Sequence, residues 1–366
     1  MAEGAVVTPL PRWVEFGVIP AVNILLAFVV AGVVVALIGE DPFEALKVMI
    51  EGAFVYPGSL GYTLYYATNF VFTGLAVAIA FQGRLFNIGA EGQAALGGIG
   101  CALVFLPLDA ILPGVLVIPL AVAAAAAAGA LWAAVPGWLQ AYRGSHIVIT
   151  TIMFNFIAAG LTVALLAGPL IRAGQPSPET REIAEAARLP FIHDIARGLG
   201  LEAATAPLTL AFPLALLAAL GVWLLVWRTR WGYALRALGE SAPAAVYAGI
   251  PVARMTVAVM ALSGALAGLM ATNEVLGAQG RVVLDFTAGY GFTGIAVALM
   301  GRAHPVGVIL AALLFGALYQ GGAELDFAFS TITREMVLLI QGLIILFSGA
   351  LSLMLVPVFA RVFGRR

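Results

Sequence analysis

The sequence predicts an all-α polytopic membrane protein with about ten transmembrane helices and both termini on the cytoplasmic side. Three observations carry this. First, 62% of the 366 residues are hydrophobic and 10% charged, with mean hydropathy +1.05; soluble domains run at about 45–50% and about 25%. Second, the apolar residues gather into runs close to the ~20 residues that a spanning helix needs. Third, Arg and Lys are distributed unevenly between alternate loops, as the positive-inside rule requires.

The runs lie at about 18–38, 62–82, 87–106, 110–134, 146–168, 207–227, 255–272, 286–300, 306–323 and 335–358. The first is too long for a signal-peptide core and lacks a small-residue cleavage site, so it reads as a retained span. Those at 87–106 and 286–300 are Gly-rich and read as discontinuous helices. With the N-terminus inside, eleven of the 18 basic residues face the cytoplasm, Arg84, Arg143 and Arg302 in short loops among them. Most acids, including Asp109, Glu274 and Asp285, fall in outer loops. With 18–38 and 207–227 set aside, two blocks of four spans start from opposite sides, the arrangement of inverted repeats. The whole of 1–366 is thus one transmembrane domain.

Two loops exceed what a bundle needs. The outer one, 169–206, contains Gln175-Pro176-Ser177-Pro178 and then a stretch, Glu179 to Leu189, with helical spacing. It reads either as a surface helix covering the bundle or as a docking surface for an external partner. The inner one, 228–254, reads as two short helices. In the second, Ser241 is the N-cap, Pro243 sits in the first turn, Gly249 is the C′ residue and Pro251 stops continuation. Ala244, Ala245 and Ala248 give it a small face suited to a partner's groove.

Absences exclude whole classes. There is no Gly-x-x-x-x-Gly-Lys phosphate loop, and the only lysine, Lys47, is not in a position to make one. Neither His-Glu-x-x-His nor Gly-x-Ser-x-Gly occurs. The single Cys101 excludes an intrachain disulfide and a cysteine metal site. His146, His193 and His304 are scattered, so no metal or acid–base role is expected. A net charge of −1 gives nucleic acid no purchase.

The polar residues at membrane depth are the candidate solute path: Asn69, Asn87, Glu91, Gln93, Thr151 and Asn155. Glu91 is the only acid placed clearly inside a span. Two readings of it stand: a first-turn acid favoured by its helix dipole, or a member of the path or gate. Asn155 is explained equally by an interhelical hydrogen bond or by solute contact.

These residues carry a resemblance. Phe86-Asn87-Ile88-Gly89-Ala90-Glu91-Gly92-Gln93 resembles the FNIGxEGQ signature of ABC importer permeases of the branched-chain amino acid and simple-sugar class. The segment from Gly144 to Asn155 is similar to the nucleoside subgroup's GxHEVITTIMLN. Arg236-Ala237-Leu238-Gly239-Glu240 through Ile250 resembles that family's cytoplasmic coupling segment, and Gly289 through Arg302 is a fourth match. The resemblance implies a permease of the bacterial inner membrane that moves a small polar solute, a nucleoside foremost, by alternating access. Simple sugars and branched-chain amino acids are the other cargoes of the class. It implies a second permease subunit, ABC ATPase subunits that bind ATP and Mg, and an external solute-binding lipoprotein, with no cofactor on this chain. It places ATPase coupling on Gly239, Glu240, Ala244, Ala245, Ala248 and Gly249. Ile147 stands where the subgroup has Glu, so the resemblance does not identify the cargo. An ion-coupled secondary transporter is the competing class; it would need no internal docking helix.

Overall fold

The computed structural model describes residues 11, 13–172, 174–333, 335–344 and 346. Among them the helices are α1 (Ile19–Ile38), α2 (Pro42–Phe54), α3 (Ser59–Gln82), α4 (Ala90–Leu108), α5 (Gly114–Arg143), α6 (Ile147–Ala167), α7 (Ile192–Gly198), α8 (Ala211–Arg228), α9 (Arg230–Glu240), α10 (Ala242–Tyr247), α11 (Val252–Ala271), α12 (Tyr290–Met300), α13 (Pro305–Ala328) and α14 (Glu335–Ile344). The only strand-like feature described is an isolated antiparallel bridge between Phe191 and Thr209.

Among the described residues eight helices are long and apolar enough to cross a membrane: α1, α3, α4, α5, α6, α8, α13, and α11 with its π-helical extension to Ala278. The shorter α12 and α14 are apolar too, so each expected run meets a helix. Two boundaries are corrected. The run at 286–300 is helical only from Tyr290; its 11 residues rise about 16 Å, half of a ~30 Å hydrocarbon core. The run at 255–272 continues to Ala278, its polar Asn273 and Glu274 held inside the protein by hydrogen bonds to Tyr65 and Asn69. The run at 335–358 extends beyond the described residues.

The chain divides into two compact units. In the unit formed by residues 1–56 and 318–366, α2 was not expected. Asp41 caps it by accepting from the Phe43 N–H at 2.8 Å, and Glu44, Lys47 and Glu51 on its surface disguise it as a loop. Gly321 packs on Met49, where a Cβ would stand 2.3 Å from the carbonyl oxygen.

The unit formed by residues 57–317 holds the features that bear on function. Its centre is α3, in which every residue from Ala67 to Ala80 is buried; a helix apolar on all sides is one enclosed by protein. Beside it α5 and α11 meet along glycines. A Cβ on Gly264 would lie 2.2 Å from the carbonyl oxygen of Gly129, and one on Gly268 would lie 2.3 Å from that of Ala125. Lipid gives helices no hydrophobic reason to associate, so such backbone-to-backbone packing is what holds them.

The 169–206 loop closes one end of this unit. No helix forms over 179–189 beyond a three-residue 3₁₀ turn, Glu185–Ala187. The apolar spacing there serves burial: Ile183, Ala187 and Leu189 join the core with Phe105, Val275 and Leu276. The loop backbone is tied to the segment after α11, with the Thr180 N–H donating to the Val282 carbonyl, Ile183 to Gly280 and Leu189 to Leu276.

Arg181 anchors the same loop. Its guanidinium donates to both carboxylate oxygens of Asp109, at 2.5 and 2.9 Å, and Asp109 also accepts from the Ala184 N–H. These bonds hold the Asp109 carboxyl below its ordinary value, the guanidinium bonds being the main cause. A depressed carboxylate stabilises the fold above its unfolded pKa, about 3.9, and that contribution fades as pH falls through the lower folded value. Removing one partner of a buried pair costs about 3–5 kcal/mol. Arg181 keeps 38% of its side chain in solvent, so Arg181→Ala should cost less, about 1–2 kcal/mol. Melting in detergent should show that gap at pH 7 and show it closing below about pH 4; a gap equal at both pH values would contradict the ion pair.

Candidate functional site

Two helix starts meet inside this unit. After α3 the chain turns at Gly83 and Arg84, the latter at φ 54°, and runs non-helically to Gly89 before α4 begins. Asn155 grips that start. Its Nδ2 donates to the Ile88 carbonyl at 2.8 Å and its Oδ1 accepts from the Gly92 N–H at 2.9 Å. Asn155 is the ninth residue of α6, about 12 Å along it, so α4 begins well within the membrane-spanning part of the bundle. Backbone groups left free there must be satisfied by protein. Thr151 helps, its hydroxyl accepting from the Ile88 N–H at 3.3 Å and donating to the Ile147 carbonyl at 2.8 Å. Asn87 and Gln93 pair through their amides, Asn87 also accepts from the Gly89 N–H, and its Nδ2 reaches Ser263 of α11 at 2.8 Å.

The second start is that of α12, entered from a turn over 284–289 with Gly289 at φ 77°. Glu91 bridges the two. One carboxylate oxygen accepts from the Gly289 N–H at 2.9 Å and the other from the Gly291 N–H at 2.7 Å; Thr287 adds a side-chain hydrogen bond. The carboxylate thus occupies the first turn of its own helix and caps the neighbouring one, and both dipoles favour it. The backbones nearly touch: a Cβ on Gly291 would lie 2.3 Å from the Glu91 nitrogen. α4 and α12 are each the second span of a block of four, and each is entered from a non-helical segment, 83–89 and 279–289; paired interruptions of this kind point to a binding site.

A cavity of about 340 Å³ opens beside this junction. Its polar lining is Glu91, Asn155, Thr162, Asp285 and Thr287, and its apolar walls include Phe286 and Val163. Of the six residues expected on the path, Asn87, Glu91, Gln93, Thr151 and Asn155 come together at the start of α4, and of these Glu91 and Asn155 line the cavity.

Asn69 does not join them. It belongs to a second buried network around Glu274, whose Oε1 accepts from the Tyr65 hydroxyl and from Asn69 Nδ2, both at 2.6 Å, while Gln279 donates to Oε2 at 3.3 Å. Asn273 donates to the Tyr65 carbonyl and to Asn69 Oδ1, and Thr209 donates to Asn273. Glu274, expected in an outer loop, is instead buried within the helix that runs to Ala278, so Glu91 is not the only acid inside a span. The signal that could have found it is the unbroken Val275-Leu276-Gly277-Ala278 that follows it. Its π-helical turn is a form common at functional positions.

The opposite end of the unit from the 169–206 loop carries α9 and α10. Ser241 accepts from the Ala244 N–H at 3.3 Å, and the Ile250 N–H returns to the Ala245 carbonyl with Gly249 at φ 77°. Both caps are those the sequence indicates. Gly239 lies against the end of α3, where a Cβ would stand 2.0 Å from the Gln82 carbonyl oxygen. Glu240 lines a cleft of about 500 Å³ with Arg84 and Arg236. Ala244, Ala248 and Gly249 are exposed, but Ala245 is buried, which corrects the expected small face. A six-residue helix must turn one side inward to stay attached, and Ala245 is that side. What projects instead is Val246 and Tyr247, the tyrosine 96% exposed.

Residues 59–349 match the family described as Branched-chain amino acid transport system / permease component. The chain is 34% identical over 338 residues to the Glucose ABC transporter permease protein TsgB13 of Haloferax volcanii, covering 92% of this chain and 88% of that one. It is 35% identical over 332 residues to the Guanosine ABC transporter permease protein NupP of Bacillus subtilis, covering 90% and 92%. It is 30% identical over 309 residues to the Nucleoside ABC transporter permease protein NupB of Lactococcus lactis, covering 83% of each.

Proposed function

The chain belongs to the branched-chain amino acid transport permease family, and from that premise we propose that it carries a nucleoside inward through the junction at Glu91, driven by ATP hydrolysed on a partner. It is a permease subunit of an ABC importer and a multi-pass protein of the cell membrane. The rest is our reading. A second permease subunit completes the path, ABC ATPase subunits bind ATP and Mg, and an external solute-binding lipoprotein delivers cargo. The α9–α10 end faces the cytoplasm and the 169–206 loop faces outside, in keeping with the arginine distribution.

One observation carries the coupling part of this proposal. A chain without a phosphate loop must receive work through contact, and α10 is a capped helix that presents Tyr247 almost wholly to solvent. An exposed aromatic on a rigid support is the usual form of a binding hot spot. Around it, Glu240 shares a cleft with Arg84 and Arg236, and Gly239 is packed on the end of α3, so a push on α10 reaches the helix that leads into the Glu91 segment. NupP and NupB favour a nucleoside cargo; TsgB13 keeps a hexose as the second reading.

Tyr247→Asp should leave folding unchanged and weaken co-purification of the ATPase subunits tenfold or more, on the ~2 kcal/mol scale of such anchors. Tyr247→Cys should react with a membrane-impermeant thiol reagent only from the cytoplasmic side, and less when the ATPase is bound. Native Cys101 is buried and stays silent. Undiminished co-purification, or labelling from outside, would overturn the assignment.

A further inference from the structure

The cavity beside Glu91 holds polar groups that the helix junction does not consume. Glu91 is engaged by Gly289, Gly291 and Thr287. Asn155 is engaged by Ile88 and Gly92. Two lining groups stand apart. Asp285 is exposed and lies in the turn that leads into α12, where its carbonyl accepts from the Ala288 N–H. Thr162, on α6, is 6% exposed, and its hydroxyl is buried without a hydrogen-bond partner. A buried hydroxyl left unpaired is costly. In a helix it ordinarily turns back to a carbonyl one turn earlier, as Thr151 does to Ile147. Thr162 does not, and it borders the cavity.

The charge of the lining is one-sided. Glu91 and Asp285 are both carboxylates, and no Lys, Arg or His is among the lining residues. Carboxylates only accept hydrogen bonds, and a hydroxyl accepts as well as donates. We infer that Asp285 and Thr162 form a subsite that reads hydrogen-bond donors, the hydroxyl or amino groups of a neutral cargo, and repels anionic solutes. This rests on the reading of the junction as the solute path. It also ranks the cargoes of the class. A free amino acid brings, beside an ammonium that these carboxylates would accept, a carboxylate for which the lining offers no cation; a nucleoside or hexose brings neutral groups alone, donors among them. The apolar walls, Phe286 among them, suit the face of a base or sugar ring.

The test needs neither the cargo nor the partner subunits. Thr162→Cys in the full chain, held in nanodiscs, is labelled with a cationic and an anionic methanethiosulfonate of similar size. The ratio of the two rates is compared with that for a cysteine free in solution. The cationic reagent should be favoured by a further tenfold or more, and Asp285→Asn in the same background should remove most of that preference. Failure of either reagent to label Thr162→Cys, a ratio equal to that in solution, or one unchanged by Asp285→Asn overturns the subsite. Glu91 is untouched in both variants, so the helix junction remains as it was. Protection by guanosine is measured alongside. Its absence with the charge preference intact counts against the nucleoside cargo and leaves the subsite standing, so the two claims fail separately.

Discussion

Gly264→Val should abolish accumulation of folded protein in the membrane, while Gly221→Val should not. Both residues lie inside spanning helices, α11 and α8, so the intrinsic helix cost of the two changes is the same. Their surroundings differ. A Cβ at Gly264 meets the Gly129 carbonyl oxygen at 2.2 Å and the Ala133 side chain at 2.4 Å, whereas one at Gly221 meets nothing within 4 Å. The backbone of α5 cannot swing aside as a side chain can. Ordinary overpacking costs about 1–3 kcal/mol and occasionally more; here the whole α5–α11 seam must separate. Fluorescence-detected gel filtration of the two variants reads the difference, and equal monodisperse peaks would contradict the packing.

Glu91→Gln should lower transport by tenfold or more while the protein still inserts and assembles. The carboxylate accepts two backbone N–H groups from α12, one on each oxygen. Glutamine has a single acceptor oxygen and would place an N–H₂ against one of those donors. Hydrogen bonds to a charged group contribute about 1.5–3 kcal/mol, which is roughly ten- to hundredfold in an equilibrium. If α4 and α12 must part and rejoin during each cycle, that change falls on the cycle. Of the two readings that the sequence leaves open for Glu91, the structure adds a third feature to weigh: it caps a different helix from its own. Full transport by a well-expressed Glu91→Gln protein would leave it a capping role alone.

Much of this was legible in the chain, for identifiable reasons. Runs of lipid-facing and buried apolar residues show in composition alone, so most spans are placed to within a few residues, as α6 at Ile147–Ala167 illustrates, although α5 runs on past the expected 134 to Arg143. The caps of α10 are equally local: Ser241, Pro243 and Gly249 each act within four residues of their own position. What was not legible depends on contacts distant in sequence. The burial of Glu274 requires Tyr65 and Asn69, more than 200 residues away. The helical spacing of 179–189 arises because Ile183 and Ala187 plug the core. Ala245 looked like part of an outward face because a short helix does not announce which side it docks by. Asp285 looked like an outer-loop acid because nothing local shows that its turn folds back beside Glu91.

The most direct measurement of the central claim is uptake of labelled guanosine by vesicles containing the chain with its partner permease, ATPase subunits and solute-binding lipoprotein. Enclosed ATP should drive accumulation against the gradient, and ionophores that collapse proton and sodium gradients should leave the rate unchanged. Accumulation without ATP, driven by an imposed ion gradient and abolished by the ionophores, would contradict the account and make the chain an ion-coupled transporter.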